Sequence, residues 1–170
     1  MPKTSTAKLL VAQAVSLLRA TSAALAALKL EMQTLAETLP EHPVVMGMFG
    51  VGPALGPQLM AEIGDVRRFH SKKALVAFAG IDAPPYQSGT VDVRSRSISK
   101  RGSAALRRTL FLVMSVIFQC APPNEPVYQF MDKKRAAGKP YRVYMMASAN
   151  KFLRIYYASV TAYLDSLEQA

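Results

Sequence analysis

The fold is decided by the stretch SAALRRTLFLVMSVIFQC, from Ser103 to Cys120. A serine suits the N-cap of a helix, and Arg107 and Arg108 then fall in its first two turns. The almost uninterrupted hydrophobic residues that follow predict a helix buried on most of its sides. We therefore predict an all-α domain with this helix at its centre.

Prolines interrupt the pattern after Cys120, and two further helices are predicted beyond them. They span Val127 to Ala137 and Tyr141 to about Leu167, and Gly138 to Pro140 form the turn between them. Residues 103–168 are thus predicted to supply the core helices of the domain.

A glycine-containing segment precedes the core, over residues 44–80. Gly50 and Gly52 bracket a tight turn, and the apolar spacing from Ala54 to Ile63 predicts a helix. Ser71 suits the N-cap of another helix that runs to about Ala79. Two short helices around a glycine turn are typical of a helix-hairpin-helix, whose backbone N–H groups bind DNA phosphates. The same arrangement is common in proteins that bind no nucleic acid.

The residues 81–102 form a loop without helical periodicity, which contains at most a short β-hairpin around Tyr86, Val91 and Val93. This serine loop carries Ser88 directly before Gly89, where a phosphate is able to approach the backbone. The residues alone do not single out Ser88, because other serines lie close by: Ser95, Ser97, Ser99 and Ser103. Ser99 and Ser103 are explained as caps of the following helix.

The N-terminal segment predicts one long helix, from about Ser5 to Leu39. Its seam has residues spaced alternately three and four apart, namely Val11, Ala14, Leu18, Thr21, Leu25, Leu28, Met32, Leu35 and Leu39. Such a helix is roughly 50 Å long, which is longer than one small domain covers. We predict an oligomerisation helix over residues 1–40 and a helical domain over 41–170. A bundle, an antiparallel pair and a parallel pair all fit the seam, and so does docking on its own domain.

The 170 residues carry a net charge of +10, and the positive charge is concentrated in one region. Seventeen Lys or Arg face four Asp or Glu between Val66 and Arg154. This distribution favours a polyanionic partner such as DNA. The candidate phosphate contacts are Lys100, Arg101, Arg107 and Arg108, with Arg67, Arg68, Lys72 and Lys73 setting position on a duplex. The alternative is a solvated charged face.

Other classes of site find little support in the sequence. The single cysteine, Cys120, excludes an internal disulfide and is predicted to be buried as a small hydrophobic side chain. His42 and His70 share no ligand spacing, so we predict no metal site in this chain. No apolar run is expected to span a membrane, and we predict a cytoplasmic protein.

The order of several short motifs resembles a known family. These are Gly50 to Gly52, Glu62 to Asp65 with Arg68 and Phe69, Ala79 to Ile81, Gln87 to Gly89, Ile98 to Gly102 and Leu106 to Arg108, followed by a weaker pattern of Gly138 to Pro140 and Lys151 to Arg154. Together they resemble the C-terminal domain of insertion-sequence transposases of the one-ten, one-sixteen and nine-oh-two type, a serine-containing, RNA-guided family. The resemblance covers about Val44 to Tyr157.

The resemblance implies a role for Ser88 as the nucleophile of DNA transesterification. In that family an acidic N-terminal domain binds magnesium, a structured RNA guides the protein, and subunits assemble into oligomers. This chain departs from the pattern, because its eleven carboxylates are scattered and form no acidic domain. We therefore expect a transposase part that binds DNA, possesses no cofactor of its own and does not cut alone. The alternative is a non-catalytic nucleic-acid-binding module.

Overall fold

A computed structural model describes residues 5–83, 86–88, 91–93 and 97–169, with the backbone alone for the two strand segments. The elements within this part are α1 (Ser5–Glu37), α2 (His42–Met46), α3 (Leu55–Ile63), a 3₁₀ helix (Val66–Arg68), α4 (Lys72–Phe78), β1 (Tyr86–Ser88), β2 (Val91–Val93), α5 (Ala104–Cys120), α6 (Pro126–Ala136) and α7 (Tyr141–Glu168). The predicted all-α class with one short hairpin is confirmed.

Helix α5 lies at the centre of the domain, as predicted. The Ser103 hydroxyl accepts a hydrogen bond from the Leu106 amide at 3.1 Å, so Ser103 is the N-cap. Its buried side chains are Leu106, Thr109, Leu110, Val113, Met114 and Ile117. The prediction for Cys120 is wrong, because this last residue of α5 is exposed.

Helix α7 forms the second long element of the core, and it packs on α4, α5 and α6. Its buried side chains recur every three or four residues, from Tyr144 and Met145 through Leu153 and Tyr156 to Leu164. The opposite face of α7 stays accessible over its first half, and this face becomes part of the site described below.

The glycine turn between α2 and α3 is packed against α5. Gly50 has φ +81°, and a Cβ there would lie 2.7 Å from Ile117 Cγ1 and 3.2 Å from the Val113 carbonyl oxygen. The two short helices predicted around the turn are present. The predicted Ser71 cap is confirmed, because the Ser71 hydroxyl accepts from the Ala74 amide at 3.3 Å.

Helix α1 projects from the domain and ends at Glu37, two residues before the predicted end. Ala36 is its only buried residue in the part of α1 that the structure describes. Near the same end, the Gln33 side chain donates to the Pro53 carbonyl at 3.0 Å. Docking of α1 on its own domain therefore involves only its last turns. The seam before these turns is exposed, with Leu18 at 67% and Leu28 at 58%.

The length and composition of α1 also suffice to cross a membrane. The expectation that no segment reaches this length is therefore wrong. A helix that packs on another protein helix meets the same criterion, and α1 carries Lys8, Arg19 and Lys29 along its length.

Candidate nucleic-acid interface

The serine loop is closed at its base by hydrogen bonds between its two ends. These bonds run from the Ser99 amide to the Asp82 carbonyl (2.8 Å), from the Lys100 amide to the Gly80 carbonyl (2.9 Å) and from the Ser103 amide to the Phe78 carbonyl (2.7 Å). The two segments approach so closely that a Cβ on Gly102 would overlap the Phe78 carbonyl oxygen. The loop is thus held between the end of α4 and the start of α5.

Arg107 stabilises this closure from α5. Its Nη1 donates to the carbonyl oxygens of Ala79 at 3.1 Å and of Gly102 and Ser103 at 3.4 Å. A guanidinium has five donors, so the remaining ones are available to other acceptors. Arg107 was predicted to bind phosphate, and the structure gives it a structural role in the loop base in addition.

The predicted hairpin is present within the loop. Strands β1 and β2 pair antiparallel, with Tyr86 opposite Val93 and Ser88 opposite Val91. Ser88 is therefore the last residue of β1, and its side chain lies outside the described residues. Ser88 follows Ala83 by five positions, so the two Cα atoms lie at most ~18 Å apart.

A groove of about 970 Å³ opens beside the loop base. One wall is the loop, with Ile81, Ala83, Ser97 and Ile98. Lys100 belongs to the same wall. Helices α5, α6 and α7 form the rest of the lining, through Ala104, Arg107, Arg108, Phe111, Phe130, Lys134, Arg142, Val143, Met146, Ala147, Asn150 and Arg154. Along the chain, the hairpin with Ser88 therefore lies between two residues of the groove lining, Ala83 and Ser97.

The groove is strongly positive. Six of its lining residues are basic, namely Lys100, Arg107, Arg108, Lys134, Arg142 and Arg154, and no carboxylate lines it within the described residues. None of the six forms an ion pair in this part of the chain. Unneutralised lysines and arginines around one concave surface attract and hold phosphate groups.

Sequence reasoning found only half of these six residues. Lys100, Arg107 and Arg108 were predicted from the basic run after the loop, whereas Arg101 lies outside the groove lining. Lys134, Arg142 and Arg154 were missed, because they lie far along the chain on α6 and α7. Arg142, Met146, Asn150 and Arg154 recur every four residues, and this spacing on a predicted helix is the signal that would have found the α7 face.

A second basic surface adjoins the groove at the next turn of α7. The Tyr157 hydroxyl donates to the Phe69 carbonyl at 3.0 Å, and Tyr157 lies three residues after Arg154. The Arg68 guanidinium stacks on the rings of Phe69 and Phe78, 4.6 and 4.7 Å from their centroids. This stacking holds a charged group in place at the surface.

The remaining basic residues predicted near Arg68 differ in their environment. Arg67 pairs with Asp65 at 3.1 Å and with Glu168. The hydrogen bonds from Arg67 lower the pKa of the Asp65 carboxyl, and the same pair raises the pKa of Arg67. Lys72 and Lys73 are exposed in the first turn of α4. Arg67 is thus largely neutralised, whereas the two lysines are accessible to an anion.

The glycine turn lies away from the groove. Gly50 packs on Val113 and Ile117. Arg108 and Ile117 are nine residues apart, so they lie about 180° apart around α5. The structure therefore does not bring Gly50 and Gly52 together with the predicted basic residues, and their contact with a phosphate remains a separate prediction.

The described residues offer no acidic centre beside the groove. The carboxylate of Asp82, at the loop base, accepts a hydrogen bond at Oδ1 from the Ser99 hydroxyl. The prediction of Ser99 as a helix cap is wrong, because Ser103 is the N-cap of α5. No three His, Cys, Asp or Glu side chains among the described residues come together as metal ligands. The side chains that the structure describes therefore do not fit a magnesium site.

Comparison with known proteins finds a family and relatives that match part of this chain. Residues 42–129, slightly more than half of the chain, match the model of the Transposase IS116/IS110/IS902 family. The chain is 30% identical to the pilin gene-inverting protein of Moraxella bovis over 112 residues. These residues are 65% of this chain and 34% of that protein. It is 32% identical over 80 residues to the transposase for insertion sequence element IS1111A of Coxiella burnetii, or 47% of this chain and 22% of that protein.

The matches leave most of each relative without a counterpart, because the chain spans about a third of the length of the pilin gene-inverting proteins of Moraxella bovis and Moraxella lacunata. The matched segment contains the glycine turn, the serine loop and all of α5. The chain belongs to the IS116/IS110/IS902 family of transposases.

Proposed function

We propose that this chain is the DNA-binding and serine-carrying part of a transposase, and that it acts in DNA transposition or recombination in the cytoplasm. The observation that carries the proposal is the groove with six basic residues and no described carboxylate, at the base of the loop that contains Ser88. DNA phosphates match its charge, and the relatives are named for inverting a gene and for transposing an insertion sequence.

Within this proposal Ser88 attacks the DNA backbone. The serine hydroxyl gives up its proton to a base as its oxygen forms a bond to phosphorus, the bond from phosphorus to the 3′ oxygen breaks, and the leaving oxygen takes up a proton to become a 3′ hydroxyl, which leaves a phosphoserine linkage. A serine hydroxyl is a weak nucleophile until a base, a metal or a charge activates it. The groove cations are placed to offset the negative charge that develops on the phosphate.

We propose that a metal held outside the described residues activates Ser88, since no three His, Cys, Asp or Glu side chains among the described residues come together as metal ligands. We propose that magnesium binds to an acidic domain on another polypeptide segment, as the resemblance implies. This chain alone is then expected to bind DNA without forming a covalent product.

An adduct assay tests the serine assignment. The acidic domain of a family member is supplied separately, and the covalent protein–DNA product is measured for Ser88→Ala, Ser95→Ala and Ser97→Ala. Ser97 is the sharpest control, because it lines the groove itself. We expect loss of the adduct in Ser88→Ala alone. An adduct that persists in Ser88→Ala and disappears in Ser97→Ala would move the nucleophile to Ser97.

Two further partners belong to this proposal. A structured guide RNA is expected from the resemblance, and RNA that competes with DNA for the groove would support it. Self-association is expected through α1, whose apolar seam is exposed along most of its length. Light scattering on the intact chain measures it directly, and a monomer at all concentrations would exclude it.

The second candidate function is a non-catalytic module that binds nucleic acid by the same groove. It predicts the same DNA affinity, but no covalent protein–DNA adduct even when the acidic domain is supplied. The adduct assay therefore separates the two functions.

A further inference from the structure

The seam of α1 is symmetric about Ala23. Its eight helical members form pairs whose residue numbers lie equally far from position 23. The pairs are Val11 with Leu35, Ala14 with Met32, Leu18 with Leu28 and Thr21 with Leu25. A second copy of α1 that runs in the opposite direction therefore places every seam residue opposite another seam residue.

We infer that two copies of this chain pair antiparallel through α1, in the register centred on Ala23. The inference rests on the self-association proposed above and adds its geometry. Each seam residue except Ala14 and Thr21 is a large hydrophobic side chain, and each of these two small residues then faces a large one, Met32 or Leu25. All layers of the antiparallel pair thus have similar volume, as close packing requires.

A parallel pair has a different and less even core. It stacks each residue on its own copy, so Ala14 faces Ala14 and Thr21 faces Thr21. Two layers are then underfilled between layers of paired leucines, and voids of this kind destabilise a core. Side-chain volume therefore favours the antiparallel arrangement.

Thr21, the polar residue of the seam, is compatible with burial of the seam in a dimer. The Thr21 hydroxyl donates to the Leu17 carbonyl at 2.8 Å within α1. A buried hydroxyl that already has a partner avoids the penalty of an unsatisfied group, and its methyl group is free to pack on Leu25 of the second copy.

The charges along α1 also favour the antiparallel direction. The half from Ser5 to Thr21 carries Lys8 and Arg19 and no acid, whereas the half from Ser22 to Glu37 carries Glu31, Glu37 and one lysine. An antiparallel pair places the positive half of each helix beside the negative half of the other. A parallel pair places like charges side by side at both ends.

This arrangement has a consequence for DNA. Each α1 joins its domain near Gln33, and in this register the two Gln33 positions lie twenty residues apart along the axis, or ~30 Å. The two basic grooves therefore belong to domains at opposite ends of the pair, so the dimer is able to hold two DNA segments separately.

Disulfide trapping tests the register on the intact chain with Cys120→Ser, since the native cysteine is exposed. Leu18→Cys and Leu28→Cys are prepared as two proteins of different tag length, and Ala14→Cys and Met32→Cys as a second pair. The inference predicts crosslinks when the two members of a pair are mixed, at least ten-fold above those of either member alone.

Each outcome decides a separate claim. A monomer by light scattering before any crosslinking overturns both the self-association and the register, and leaves the groove's role in DNA binding untouched. An assembly in which Leu18→Cys alone crosslinks as well as the mixture overturns the antiparallel register only. A mixture of Ala14→Cys with Leu18→Cys is the control, because these positions lie ~21 Å apart in the antiparallel pair and adjacent in a parallel one.

Discussion

Replacing Gly50 by alanine is expected to lower the free energy of unfolding by about 1–5 kcal/mol. The left-handed backbone at φ +81° costs an alanine about 1–2 kcal/mol. The new methyl group would lie 2.7 Å from Ile117 Cγ1, and overpacking a core of this kind costs about 1–3 kcal/mol. A smaller unfolded-state entropy gain, of about 0.4–1 kcal/mol, partly offsets both effects.

Gly52→Ala is the matched control, because a Cβ at Gly52 meets no atom within 4 Å and its φ is not in the left-handed region. Its stability is expected to stay within about 0.5 kcal/mol of the parent, as for most surface substitutions. For a protein of this size, the Gly50→Ala loss corresponds to a fall in Tm of roughly 10 °C. Urea titration and thermal unfolding followed by circular dichroism measure both variants.

The same pair of variants tests what the glycine turn does. Equal stability of Gly50→Ala and Gly52→Ala would refute the packing of the turn against α5. We also expect Gly52→Ala to bind DNA as the parent does, because the turn lies on the opposite side of α5 from the groove. A clear loss of affinity in the stably folded Gly52→Ala would instead show that a phosphate approaches this turn.

Three further changes separate structural from binding roles. Lys100 has φ +56° and lines the groove. Lys100→Gly relieves the backbone strain, so it is expected to be as stable as the parent or up to ~1 kcal/mol more stable, while its DNA affinity falls about five-fold. Lys100→Ala is expected to lose the same DNA affinity without any gain in stability. Arg107→Lys keeps the charge and loses the forked bonds to the loop base, so urea unfolding is expected to show a loss of about 1–2 kcal/mol with DNA affinity within about three-fold of the parent. Arg67 lowers the Asp65 pKa below its ordinary 3.8, so this pair stabilises the fold above about pH 4, and the stabilisation is lost as the pH falls through the folded pKa. Asp65→Asn is expected to cost under about 1 kcal/mol at pH 7, because the pair is exposed. The same variant is expected to show a flatter dependence of stability on pH below about pH 4.

Much of the fold followed from local patterns. The hydrophobic run after Ser103 predicted α5 and its N-cap, because burial and capping act within one segment. The prolines and glycines around 121–140 likewise predicted where α6 and α7 begin. The exposure of Cys120 was not predictable in this way, since its position at the very end of α5 decides it rather than the hydrophobicity of its neighbours.

The site was harder to predict, because it is assembled from distant segments. The basic run around Lys100 and Arg108 indicated a phosphate contact, but the partners Arg142 and Arg154 enter only through the packing of α7 beside α5. The same packing separates Gly50 from the groove, although both belong to one run of family motifs. Contacts such as that of Arg107 with the Ala79 carbonyl join residues 28 positions apart, and the hydrophobic periodicity of the sequence does not predict them.

The salt dependence of DNA binding tests the central claim most directly, which is that the groove holds the DNA phosphates. Lys134→Ala, Arg142→Ala and Arg154→Ala combined are compared with a control of equal charge loss outside the groove lining, Lys133→Ala, Arg135→Ala and Lys139→Ala. Each phosphate contact contributes about 0.9 to the slope of log K against log salt concentration.

The groove variant is expected to lose about 2.7 from the magnitude of this slope and on the order of 100-fold in affinity at low salt, at ~1 kcal/mol per contact. The control is expected to keep the parent slope and to stay within about three-fold of the parent affinity. Equal losses in the two variants would contradict the account, because DNA binding would then depend on net charge and not on the groove.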